Sequence, residues 1–240
     1  MKIKIHNLSK CFDGNQILDG FTAELESGQL VALLGNNGAG KSTLMKLLAT
    51  LYLPDEGSVY FDGEELARNR LDLRCKLHFL SDQNLFLSDF PVDHVCLAAS
   101  LYHRSLNRIR SQIIQWFRQF DLLEHCETRI SKLSRGQKYK VAFIGMLAAN
   151  PKLWILDEPF AAGVDPPGIA AIKRCLNKIL GGGGIVIYST QIIELAESYS
   201  DRIWLLNDGV LKFDLATKEL KAEDSPFGLS GVFEKFRLGK

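Results

Sequence analysis

An apolar run, Leu30-Val31-Ala32-Leu33-Leu34, leads directly into Gly35-Asn36-Asn37-Gly38-Ala39-Gly40-Lys41-Ser42-Thr43 and then into Leu44-Met45-Lys46-Leu47-Leu48. The first segment reads as a strand buried on both faces and the last as a helix. The pattern GxxxxGK(S/T) between them constrains the chain more than any other feature, because it requires a strand, a tight loop and a helix in that order. Gly35, Gly38 and Gly40 let the backbone turn sharply and present its amides to an oxyanion, at which the following helix points its positive end. Lys41 reaches outer phosphates as a point charge. The hydroxyl of Ser42, one residue on, suits a magnesium ion that takes near-octahedral oxygen ligands. The whole loop from Gly35 to Thr43 is predicted to bind the phosphates of a nucleotide.

A second constellation lies far along the chain. After Pro151, Leu153-Trp154-Ile155-Leu156 is another short apolar run and delivers Asp157-Glu158-Pro159 at its end. Open parallel sheets bind ligands beyond the carboxyl ends of their strands, which would bring both acids close to the loop at Gly35 to Ser42. Asp157 is then placed to hold magnesium, and Glu158 to orient or deprotonate a water that attacks the terminal phosphate.

The rest of the chain fits around these two sites. Residues 1 to 29 alternate like antiparallel strands, with a turn at Asp13-Gly14. The helix from Lys41 is expected to run to about Tyr52, before Pro54, with short strands following at Val59-Tyr60-Phe61 and Leu77-His78-Phe79-Leu80. From about 84 to 150 the pattern turns helical: Val92, Val95, Cys96, Ala99 and Tyr102 share one face, and Ile109, Ile113, Trp116, Phe117 and Phe120 another. Such aromatic stripes read as core rather than as a ligand cage. A further helix carries Ile169, Ile172, Leu176 and Ile179 on one face. It is followed by Gly181 to Gly184, a strand at Ile185 to Tyr188, and a hairpin around Asn207-Asp208-Gly209. Strands alternating with helices imply an α/β fold with a mostly parallel sheet, preceded by an antiparallel β layer. Residues 221–240 read as a loosely attached tail.

Charge and cysteine content narrow the partners. A formal charge of +1, without clustered Lys and Arg, gives no reason to expect nucleic acid. Five dispersed cysteines without a CxxC pair imply neither a disulfide framework nor a zinc site and fit a reducing compartment. The longest weakly polar run, Val141 to Asn150, is far shorter than the roughly 20 residues of a spanning helix. Any work at a membrane is expected to pass through a partner.

Between the two constellations stands Leu133-Ser134-Arg135-Gly136-Gln137, and here the sequence resembles the ATP-binding cassette family, whose signature is LSGGQ. Ser134 is also a good N-cap for the helix that follows, so the motif is an anion-binding helix start. The resemblance covers about residues 1 to 215. It implies a P-loop NTPase core with an inserted helical subdomain at about 84–150, and a single domain over 1–220. It also implies that Ser134, Gly136 and Gln137 grip the terminal phosphate of ATP bound to the other subunit of a head-to-tail dimer, homo- or heteromeric. Phe12 matches the aromatic that stacks on adenine, Gln83 the glutamine that meets magnesium, and Asp165 the loop that crosses the dimer interface. Gln191, in Ser189-Thr190-Gln191, stands where the family has histidine. Its amide can donate to a terminal phosphate but cannot take up a proton as imidazole does.

The leading reading is an ATPase subunit, with ATP and Mg2+, that drives an integral membrane permease from the cytoplasmic face. Roughly ninety residues separate Lys41 from Leu133, too few for the long coiled coil of the chromosome-associated members. The stretch Leu229 to Phe236 resembles the end of exporter-type cassettes. Gln191 keeps a second reading open, an ATP-binding gate or regulator with little turnover. A guanine-nucleotide switch fails, because Leu180 stands where the NKxD pattern beginning at Asn177-Lys178 requires aspartate.

Overall fold

The computed structural model describes residues 1–81, 85–160 and 163–220. Strands β1 (Lys2–Phe12) and β2 (Asn15–Glu26) form the expected antiparallel hairpin, turning where Asp13 and Gly14 both take positive φ. Next comes β3 (Leu30–Leu34), then α1 (Lys41–Leu48), β4 (Glu56–Phe61) and the two-residue β5 (Glu64–Glu65). The first sheet has the order β2-β1-β4-β5.

The chain continues through α2 (Leu71–Arg74) and β6 (Leu77–Leu80) to the helices α3 (Pro91–Leu101), α4 (Leu106–Gln119) and α5 (Arg135–Ala149). It returns through β7 (Leu153–Leu156), α6 (Pro166–Gly181), β8 (Ile185–Thr190), α7 (Ile193–Tyr199), β9 (Arg202–Asn207), β10 (Val210–Ala216) and α8 (Thr217–Leu220). The second sheet has the order β10-β9-β3-β8-β7-β6, parallel throughout except for the β9–β10 hairpin at its edge. This is the α/β arrangement that the sequence predicts.

The unbroken apolar runs follow from burial of this sheet on both faces. Val31, Leu33, Ile155 and Ile187 join one core with the first sheet and α1, while Ala32, Leu34, Trp154 and Tyr188 join a second core with the inserted helices. Strand residues alternate between faces, so a strand covered on both sides must be apolar at every position. Ile109, Ile113, Phe117 and Phe120 lie in the second core, as their spacing predicts, with Trp116 packed against it. On α3 the buried face is Val95, Ala98 and Ala99 together with His94, so the predicted stripe through Val92, Cys96 and Tyr102 is only partly covered.

Two local expectations need correction. The helix after the phosphate loop ends at Leu48 rather than near Tyr52. Thr50 takes a left-handed φ of 57°, and Leu51 donates its amide back to the carbonyl of Lys46 at 2.9 Å, closing the helix end one turn before Pro54. The short helices α2 and α7 lack the long periodicity that would announce a helix and are absent from the sequence reading. Gln83 and the segment 221–240, including Leu229 to Phe236, lie outside the described residues.

Candidate functional site

The phosphate loop joins β3 to α1, and its close contacts are built on missing side chains. Gly40 has φ +101°, and a Cβ there would stand 2.7 Å from the carbonyl oxygen of Ile17. No other residue satisfies both conditions without displacing the β2 backbone. Lys41, 6% exposed, curls back and donates to the carbonyl oxygens of Gly35 at 2.8 Å and Asn36 at 3.0 Å. Burial pushes its pKa down, and the nearby charges of Glu158 and then Asp157 oppose that shift. The ammonium is thus held at the loop by neutral carbonyls, which stronger anionic acceptors can replace. Asn36, Asn37 and Gly38 are exposed, whereas Ala39 is buried. Ser42 and Thr43 begin α1, and Ser42 is exposed.

Adjacent strand ends bring the acids to this loop. The sheet order sets β8 between β3 and β7, so the loop after β3, Gln191 just beyond β8, and Asp157 and Glu158 beyond β7 share one edge. Gln191 Nε2 donates to Asn37 Oδ1 at 2.9 Å and to Glu158 Oε1 at 3.0 Å. One amide therefore spans the loop and the second acid. Buried Asp157 accepts a hydrogen bond from the Ser189 hydroxyl at 2.6 Å, and Ser189 Oγ in turn accepts the backbone N–H of Glu158 at 2.8 Å. A cleft of 760 Å³ runs beside Ser42 and Asp157 and is lined also by Ser81, Lys46 and Ala142. A carboxylate and an exposed hydroxyl on one cleft form the hard oxygen set that fits magnesium. Among the described residues no three His, Cys, Asp or Glu side chains gather into a metal cage, so further ligands fall to phosphate and water.

Ser134, Gly136, Gln137 and Asp165 form a separate cluster. Ser134 caps α5 with a complete capping box: its Oγ accepts from the Gln137 amide at 3.2 Å, and Gln137 Oε1 accepts from the Ser134 amide at 2.9 Å. Gln137 Nε2 then meets Nε2 of His125 at 2.8 Å. A Cβ on Gly136 would meet the carbonyl oxygen of Gly163 at 2.2 Å. Lys140, buried one turn further along α5, pairs with Asp165 at 2.6 Å and holds its carboxyl below the usual range. The start of α5 is thus fastened to the loop that opens α6. The side chains of Ser134 and Gln137 bond to the first turn of α5 and to His125.

Phe12 lies at the end of β1, 37% exposed, edge-on to Tyr52 at 5.3 Å between centroids and with Lys10 Nζ 5.3 Å from its ring. Ser189, His125 and Lys140 are the polar partners that sequence reasoning missed. The i, i+4 spacing of Gly136 and Lys140 on one helix face was a usable signal for Lys140. Nothing local marks the other two.

Comparison with known proteins identifies the family. The model of the family described as ABC transporter matches residues 18–161. The SkfA peptide export ATP-binding protein SkfE of Bacillus subtilis (strain 168) is 29% identical over 222 residues, 92% of each chain. A solved structure titled as the ATP-binding subunit of an ABC transporter superposes with a TM-score of 0.90 at 27% identity, covering 99% of this chain and 100% of that one. The ATP-binding cassette MJ0796, solved as a dimer in a post-hydrolysis state bound to ADP and Pi, gives a TM-score of 0.77 at 25% identity over 90% of this chain and 98% of its own. The loop, the paired acids, the capped signature helix and these likenesses lead to one conclusion: the chain belongs to the ABC transporter family and carries its ATP-binding domain.

Proposed function

We propose that residues 1–220 act as one ATP-hydrolysing unit, that two such units close head to tail around two ATP molecules, and that this closure drives a separate membrane permease. The observation that carries the reading is the continuous contact from the phosphate loop through Gln191 to Glu158. In this reading Phe12 stacks on the adenine, and the loop amides from Gly35 to Thr43 together with Lys41 hold the phosphates. Ser42, Asp157 and Gln83 would hold Mg2+, which when bound would neutralise charge at the phosphates. Glu158 accepts the proton of the attacking water, and Gln191 donates to the terminal phosphate. Ser134, Gly136 and Gln137 serve the nucleotide of the partner subunit, with Asp165 at the interface between them.

Among the described residues no helix is long and apolar enough to span a membrane, and the reading assigns the crossing to a permease, with this chain at its cytoplasmic face. Export is the proposed direction, on the similarity to SkfE and on the ending Leu229 to Phe236. The test is phosphate release by the purified chain with and without its permease, beside ATP-induced dimerisation of Glu158→Gln. Turnover stimulated by the permease and an ATP-locked dimer are expected. Dimerisation with negligible release in every condition favours the gate reading, for which Gln191 speaks. Failure to bind ATP sinks both.

A further inference from the structure

Glu158 has a φ of 46°, in the left-handed region that a residue with a side chain rarely enters. Something must hold it there, and the contact at its amide is specific. Leu156 of β7 is registered with Tyr188 of β8, and one step further along both strands Asp157 and Glu158 meet Ser189. Ser189 is completely buried. Its oxygen accepts the Glu158 N–H at 2.8 Å while its proton goes to Asp157 Oδ1 at 2.6 Å. A hydroxyl supplies one donor and two acceptor sites, so a single small side chain grips both the peptide and the carboxylate on either side of it.

We propose that Ser189 is the positioning residue of the acidic strand end. By fixing the peptide between Asp157 and Glu158 it turns one carboxylate toward the metal position and the other toward Gln191 and the water. This rests on the ATPase reading above. Alanine removes both bonds, leaving the Glu158 peptide free to relax and Asp157 Oδ1 without its donor. Misplacement of reacting groups by about 1 Å costs roughly 100-fold in rate. Threonine keeps the hydroxyl and suits a strand.

The experiment uses the full chain as Ser189→Ala, Ser189→Thr and Glu158→Gln. In buffer without nucleotide, hydrogen exchange at the Glu158 amide should quicken about tenfold or more in Ser189→Ala and stay near wild type in Ser189→Thr. ATP affinity measured without Mg2+ should hold in both. The gain in affinity on adding Mg2+ should shrink several-fold in Ser189→Ala alone. Its kcat should fall about 10- to 100-fold with KM for ATP within about threefold, and Ser189→Thr should restore it. Wild-type exchange and Mg2+ response in Ser189→Ala overturn the proposal, as does equal damage by Ala and Thr, which would make volume rather than the hydroxyl decisive. Should Ser189→Ala not fold, Ser189→Cys keeps the volume, weakens both bonds and is read the same way. Glu158→Gln keeps the two ideas apart: wild-type turnover there refutes the base assignment, whatever Ser189 does.

Discussion

The amide of Gln191 touches Glu158 Oε1 at 3.0 Å and Asn37 Oδ1 at 2.9 Å, so the residue in the family's histidine position bridges the proposed base and the phosphate loop. Both contacts use Nε2 as donor to neutral or anionic oxygen, a role that needs no titrating group. If that amide stabilises the terminal phosphate mainly in the transition state, Gln191→Ala loses a hydrogen bond to a charged group, worth roughly 1.5–3 kcal/mol, and turnover slows about 10- to 150-fold. ATP affinity should change little, since Lys41 and the loop remain. Gln191→His should match or exceed wild type. Steady-state phosphate release with the permease present decides; equal rates for Gln, Ala and His would make the position a spectator.

Lys41 is buried against carbonyls that it can exchange for phosphate, and two carboxylates lie close enough to oppose the loss of its charge. Lys41→Ala should therefore weaken ATP binding by about 100-fold or more, roughly 2.7 kcal/mol, while the fold persists on its two cores. Calorimetric titration with ATP beside a melting curve separates the two effects. Affinity within a few-fold of wild type would remove the lysine from the phosphate site.

How much of this was legible in the sequence depends on how local each determinant is. The strand before Gly35, the acids after Leu156 and the cap at Ser134 are written in contiguous residues, because periodicity, glycine and capping chemistry act over a few positions. The bonds that organise the site are not contiguous: Ser189 meets Asp157 across a parallel strand pair, and His125 meets Gln137 across a loop. Such partners depend on register and tertiary packing, for which neither residue carries a local mark. The end of α1 misled for a related reason. Pro54 marks where a helix cannot continue, but the left-handed Thr50 had already closed it.

Gly136 tests the second cluster. The carbonyl of Gly163 lies 2.2 Å from where its Cβ would be, and both groups are backbone. Gly136→Ala must push the start of α5 away from the loop before α6, straining the Lys140–Asp165 pair. A loss of roughly 1–3 kcal/mol in stability is expected. In a Glu158→Gln background the same change should weaken the ATP-induced dimer without altering ATP affinity of the monomer. Sedimentation with and without ATP reads this, and an undiminished dimer would place the interface elsewhere.

His78 carries the clearest pH dependence. Its ring stacks on Tyr102 at 5.4 Å, and its Nδ1 is buried with no hydrogen-bond partner among the described residues. Burial, and secondarily the neighbouring His94, pushes its pKa down to about 4; burial does the same to His94, whose Nδ1 accepts the Leu87 amide at 3.2 Å. Both rings are thus neutral in the folded chain where the unfolded chain, with ordinary values near 6.5, begins to bind protons. Stability from these rings is full above pH 6.5 and falls as pH drops toward 4, by up to about 3 kcal/mol for each ring. His78→Phe keeps a ring against Tyr102 and removes both the buried nitrogen and its titration. Its melting temperature at pH 7 should equal or exceed wild type, since an unsatisfied buried polar atom costs about 1–3 kcal/mol. Between pH 6.5 and 4.5 it should lose visibly less stability, the remaining slope belonging to His94 and to carboxylates. Melting curves of the two proteins across that range make the comparison, and parallel pH profiles would show that His78 is protonated at no cost and that its burial is not felt.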